Sequence, residues 1–156
     1  MILASYRISP SRIPGAGQGV FLEEGVGAGQ IIVAPDAIPR VYRLADIETH
    51  PNAAELLPAT VRWFEEWYTA TPEWPDECYI NHAFEPTGLW HLGFVFARRA
   101  LASGEELTVD YRHLLAPGQR EAFDDAVSGE PIIGLPWNDS LRQTSAELLA
   151  LMQARL

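Results

Sequence analysis

The chain has 156 residues, 47% of them hydrophobic, which suits one domain with a single buried core and leaves little room for a second. Its formal net charge of −10 opposes attraction to phosphate backbones, so direct nucleic-acid binding is not expected, whereas a basic protein or peptide matches the charge. The one cysteine, Cys78, excludes an internal disulfide framework and a cysteine-rich zinc cluster, and no metal is expected. No stretch approaches the roughly 20 apolar residues of a membrane-spanning helix. Met1 to Pro10 has neither a basic leader nor a long apolar run, so the expectation is a soluble, cytoplasmic protein that does not engage membranes. All 11 basic side chains are arginine; with the many Ala, Gly and Pro, this reads as the composition of a GC-rich, bacterial genome.

In chain order, Ile2 to Ile8, Gly19 to Leu22 and Gln30 to Ala34 read as short strands. The alternating glycines of Ile13-Pro14-Gly15-Ala16-Gly17-Gln18-Gly19 predict a loop whose backbone can approach a ligand closely. From Leu44 to Tyr68 the spacing of Ala54, Leu57, Val61, Phe64 and Tyr68 predicts a helix interrupted at Pro51 and Pro58, with Trp63 and Trp67 as packing residues. After the proline-punctuated stretch from Thr71 to Pro75, a strand-like segment leads into Tyr79-Ile80-Asn81-His82. Leu92 to Ala97 reads as a central strand and Glu106 to Val109 as another. Gln119 to Val127 and Asp139 to Leu156 look helical, the second starting at an N-cap of Asn138 or Asp139, with Leu141, Leu148, Leu149 and Met152 on one side. Strands and helices do not alternate as in βαβ units, which disfavours a Rossmann sheet.

Three local features could carry chemistry. Gly17-Gln18-Gly19 lacks the lysine of a P-loop and the following helix of a dinucleotide fingerprint, so alone it reads as a plain turn sooner than as a nucleotide loop. Asn81-His82 sets an amide beside an imidazole in an apolar segment, where it either fixes backbone or binds a polar ligand. Cys78 lies four residues before His82, but no orienting carboxylate is evident from the sequence, which argues against a cysteine nucleophile. The third feature, Gly104-Glu105-Glu106-Leu107-Thr108-Val109-Asp110-Tyr111, is a turn and strand ending in an acid and a phenol.

In this order the three features resemble the motifs of the SET-domain protein lysine methyltransferases. The family's opening "GAGxGLF" stands as Gly15-Ala16-Gly17-Gln18-Gly19-Val20-Phe21, its "NHSFxPN" as Asn81-His82-Ala83-Phe84-Glu85-Pro86-Thr87, and its "GEELTxDY" as Gly104 to Tyr111. The resemblance covers about residues 4 to 111. It implies a mainly β fold with a helical insert and C-terminal helices (α+β), a β-clip-like arrangement of short sheets with a pseudoknot. The implied organisation is a SET domain over 1–115, with the insert at about 44–70, and a helical extension over 116–156 that packs on the domain or joins a second subunit as a homodimer.

The resemblance further implies that S-adenosylmethionine is the cofactor and lysine of a basic protein the substrate. Backbone at Gly17, Gln18 and Gly19 would contact the methionine part, Asn81 and His82 the amino group and adenine, and the segment at Cys78 would pass alongside. Tyr111 would be the catalytic residue, its hydroxyl near the sulfonium methyl. Departures from the pattern are Ala83 for serine, Thr87 for asparagine, Trp90 near a position that often holds a channel tyrosine, and Ala34-Pro35 where an aromatic is common. They raise the alternative of a catalytically degenerate module that binds cofactor or peptide. Without a zinc segment, residues 112 to 156 must close the channel, and Trp137 is the candidate lid, with ordinary packing as the other reading.

Overall fold

Short runs of β-branched and aromatic residues build four small sheets in the computed structural model, which describes residues 1–35, 41–71 and 73–154. In chain order the strands are β1 (Tyr6–Pro10), β2 (Gln18–Leu22), β3 (Ile31–Val33), β4 (Tyr42–Arg43), β5 (Val61–Phe64), β6 (Trp67–Thr69), β7 (Asn81–His82), β8 (Gly88–His91), β9 (Phe94–Ala97), β10 (Glu106–Val109), β11 (Arg120–Asp124) and β12 (Pro131–Ile133). The α-helices are α1 (Leu44–Glu48), α2 (Ala53–Leu56) and α3 (Trp137–Gln153). The fold is thus α+β and mainly β, as expected, but with one C-terminal helix. Among the described residues no helix is long and apolar enough to cross a membrane.

One four-stranded sheet, ordered β1-β2-β10-β7, positions the site. In it β10 runs antiparallel to β2, with Leu107 opposite Val20, and parallel to β7, with Thr108 opposite Asn81 and Val109 opposite His82. Residues far apart in sequence therefore lie side by side. The core behind this sheet joins Val20, Leu22, Leu107 and Val109 to Ile32 and Val95 of a second sheet, ordered β3-β9-β8. The expected central strand at Leu92 to Ala97 is β9, flanked on both sides; its first two residues instead form the turn from β8, where Leu92 and Gly93 take left-handed φ angles of 52° and 84°.

Three expectations are corrected. The predicted helix over Leu44 to Tyr68 stops at a 3-10 turn, Leu57–Ala59, and the remainder forms the β5-β6 hairpin, paired with β4. Val61, Trp63, Trp67 and Thr69 suit a strand, and Glu65 turns the chain at φ 49°. The helical spacing of Val61, Phe64 and Tyr68 is a coincidence of period, because Arg62 and Tyr68, paired across the hairpin, are the buried residues.

Second, Gln119 to Val127 is not helical but enters the β11-β12 hairpin, so the described residues of the expected helical extension, 116–154, are a hairpin followed by a helix. Asp125 to Gly129 makes the turn, with Gly129 at φ 73°. Third, α3 starts at Trp137 behind Pro136, and Asn138 and Asp139 lie inside its first turn. Its buried face is polar: Ser140 and Thr144 are buried, whereas Leu149 is 60% exposed. Arg155 and Leu156, the expected end of this helix, and Pro72 of the proline-punctuated stretch lie outside the described residues.

Candidate functional site

The glycine loop, Asn81-His82 and Tyr111 meet along the edge of the β1-β2-β10-β7 sheet. Gly17 holds φ 73°, a conformation that L side chains rarely adopt, and turns the loop so that its carbonyl accepts from Ser11 N–H at 2.8 Å. Gly19 is required for a different reason. A Cβ there would overlap the Glu106 carboxylate and come within 3.1 Å of the Asn81 amide nitrogen.

Those two side chains form the hub of the site. Asn81 Nδ2 donates to the Gln18 carbonyl at 2.8 Å and to Glu106 Oε1 at 3.0 Å, which commits both amide hydrogens and leaves the amide oxygen to accept from a ligand. Glu106, 9% exposed, also accepts from the Ser11 hydroxyl at 2.7 Å and from Arg12 N–H at 3.0 Å. Sequence reasoning missed Glu106 as an organiser, although its place in the Gly104 to Tyr111 motif marked it.

One residue, Asp110, separates β10 from Tyr111, which opens a 3-10 turn (Tyr111–His113), and the Asp110 carboxylate accepts from Arg112 N–H. The Tyr111 hydroxyl donates to the Ile80 carbonyl at 2.8 Å, one residue from Asn81, and its backbone N–H donates to His82 Nδ1 at 3.1 Å. Around it stand the His82 ring at 5.4 Å between centroids and the Phe123 ring at 6.5 Å; Phe84 meets His82 edge-on at 4.8 Å.

Burial, with Glu121 and Cys78 nearby, raises the phenol pKa far above its ordinary value, so Tyr111 is a hydrogen-bond donor and no base. Burial also lowers the His82 pKa against the opposing pull of Asp110 and Asp125, keeping the imidazole neutral. Cys78 sits in the 3-10 turn Asp76–Tyr79, its thiol pushed up to about 11 by burial and by Glu77. A protonated, half-buried thiol is a poor nucleophile.

A cavity of about 560 Å³ adjoins these residues through Cys78, Ile80 and Val109, whereas the glycine loop, Asn81, His82 and Tyr111 are not among its described lining residues; its wall is apolar and aromatic, with Trp63, Trp74 and Trp90, and includes Glu73 and Glu77. Trp90, buried on β8, is thus at the cavity wall, as are Ala34, Pro35 and Cys78. Trp137 is not among the described lining residues. It packs edge-on to Phe64 at 5.0 Å and under the Arg62 guanidinium at 5.8 Å. Thr87 supplies polar links where asparagine is absent: its hydroxyl donates to the Glu106 carbonyl at 3.0 Å and accepts Thr108 N–H at 2.9 Å, tying the segment after His82 to β10.

Compared with known protein families and with curated proteins, the chain matches no family model and no curated sequence.

Proposed function

We propose that the chain is a SET-domain type of protein-lysine N-methyltransferase, taking the methyl group of S-adenosylmethionine to the side-chain amine of lysine in a basic protein. The observation that carries this reading is the meeting of three remote segments: the Tyr111 hydroxyl bonded to Ile80, Asn81 beside it, and the Asn81 amide bonded to Gln18 of the glycine loop. In this reading the chain passing from β10 into Tyr111 is the threaded segment of a pseudoknot.

The residues present fit the cofactor. The Asn81 oxygen remains to accept from its ammonium, and the rings of Phe84 and Phe123, on either side of the His82-Tyr111 pair, offer stacking surface for its adenine. When bound it would supply a sulfonium methyl group, whose carbon the amine lone pair would attack in line, the C–N bond forming as the C–S bond breaks and the neutral thioether leaves. The protein's own part is alignment and exclusion of water. Tyr111, held protonated, orients rather than abstracts a proton; the lysine loses its proton to solvent before attack, a loss favoured by a neighbouring positive charge. Glu73 at the cavity suits an incoming cationic side chain, while Glu77 there is paired with the Met1 ammonium.

Calorimetry with S-adenosylmethionine and with its demethylated product, followed by methyl transfer to lysine-containing basic peptides, tests the proposal. The given sequence contains no lysine, so labelled methyl on lysine belongs to the peptide. Binding followed by transfer is expected. Binding without transfer would favour the degenerate module, and no binding at millimolar cofactor would refute the reading.

A further inference from the structure

The C-terminal hairpin reaches the site through a buried carboxylate that the proposed reaction does not otherwise use. Asp125 follows β11, and its Oδ2 accepts from Val127 N–H at 3.1 Å, Ser128 N–H at 2.6 Å and the Ser128 hydroxyl at 2.8 Å. Burial works against its ionisation, yet those donors and the nearby His82 hold its pKa below the usual carboxylate range. Its other oxygen, Oδ1, faces His82 Nε2 at 3.7 Å, with side-chain exposures of only 4% for His82 and 5% for Asp125.

Among the described residues, His82 Nε2 is the buried side-chain polar atom left without a hydrogen-bond partner. Such an atom is costly unless something opposite compensates it. The tautomer follows from the other nitrogen. His82 Nδ1 accepts the Tyr111 backbone N–H, so the proton of the neutral ring sits on Nε2 and points at Asp125. The other charged groups near this imidazole, Asp110 and Arg112, are bonded to each other.

We propose that Asp125 is a positioning residue for Tyr111: acting through the Nε2–H of His82, it holds the imidazole in the tautomer that accepts the Tyr111 N–H and so sets where the phenol stands. This rests on the methyl-transfer reading for its functional meaning, but its geometry is testable without it.

Asp125→Asn separates positioning from mere turn-building. Asparagine serves well in such a turn, and the three donors there require its oxygen at the Oδ2 position. The NH₂ is then directed at the Nε2–H of His82, donor against donor. Long-range nitrogen-proton correlation spectra, with His82 identified by its loss in His82→Gln, should show one Nε2–H tautomer in the unaltered protein. In Asp125→Asn they should show a displaced tautomer equilibrium and a shifted Tyr111 amide.

Methyl transfer by Asp125→Asn should fall about tenfold or more in kcat, with KM for the cofactor within about twofold, as expected for misplacement of an aligning group. An Nδ1–H tautomer in the unaltered protein, or spectra and kcat unchanged in Asp125→Asn, would overturn the proposal. Should the unaltered protein transfer no methyl group, the spectra still decide the role of Asp125, and the failure belongs to the methyl-transfer reading alone.

Discussion

Replacing Arg62 with methionine should destabilise the fold by about 2–4 kcal/mol, a magnitude that follows from its surroundings. Arg62 is fully buried on β5, and among the described residues no carboxylate pairs with it. Its guanidinium donates from Nε and Nη2 to the His113 carbonyl, at 3.3 and 3.0 Å, and from Nη1 to the Leu135 carbonyl at 2.9 Å. One side chain therefore ties the insert hairpin to the turn that begins at Tyr111 and to the approach to α3.

Methionine keeps much of the volume but leaves two buried carbonyls without these donors, at about 1–3 kcal/mol each. Removing a desolvated cation returns part of that loss, since burial already lowers the Arg62 pKa. Urea unfolding followed by tryptophan fluorescence is a suitable assay, with Trp63 and Trp137 adjacent as reporters. A change below about 0.5 kcal/mol at unchanged slope would refute the reasoning, because the two carbonyls would then have been satisfied some other way.

Tyr111→Phe should lose methyl transfer about a hundredfold or more while calorimetry finds cofactor binding retained; near-normal turnover would remove Tyr111 from its assigned role. Gly19→Ala should cost about 1–3 kcal/mol in thermal or urea unfolding, since its Cβ overlaps Glu106, and an unperturbed variant would contradict the geometry at the hub. Asn81→Ala should weaken cofactor binding, read by calorimetry, and an unchanged affinity would exclude the contact.

Acidification should loosen α3. Its Ser140 and Thr144 hydroxyls pair with His113 Nδ1 and His91 Nδ1, each at 2.9 Å, and burial holds both imidazoles below their ordinary pKa. They are neutral in the fold but take up protons near pH 6.5 once unfolded, so their stabilisation is complete above about pH 6.5. It is lost as the pH falls through the depressed folded values. Unfolding midpoints measured downward from about pH 6.5 should fall, more so than in His91→Gln, whereas an identical pH profile in that variant would exclude His91 as a contributor.

Much of the sheet that holds the site was legible because its signals are local. Gly15 and Gly17 mark a loop by conformational freedom alone, and both take positive φ. The β-branched and apolar runs at Val20 to Leu22, Val95 to Ala97 and Leu107 to Val109 carry strand character in their own side chains. The insert misled because residues 61 to 68 satisfy a helical spacing and a hairpin pattern together. The choice between the two depends on a partner, Tyr42-Arg43, that no window along the segment contains. Gln119 to Val127 failed similarly, since its pairing strand lies beyond the Ser128-Gly129 turn.

By itself, then, the sequence determined the glycine loop, the strand character of the central runs and the exclusion of an internal disulfide, all properties of side chains and their near neighbours. Only the tertiary structure decided that Glu106 lies against Gly19 and Asn81, that Arg62 is buried on carbonyls from residues 113 and 135, and that Asp125 faces His82. Each of these depends on burial and on contacts with residues 25 to 87 positions away in the chain, and an arginine or aspartate shows nothing of its partner until the backbone brings it there.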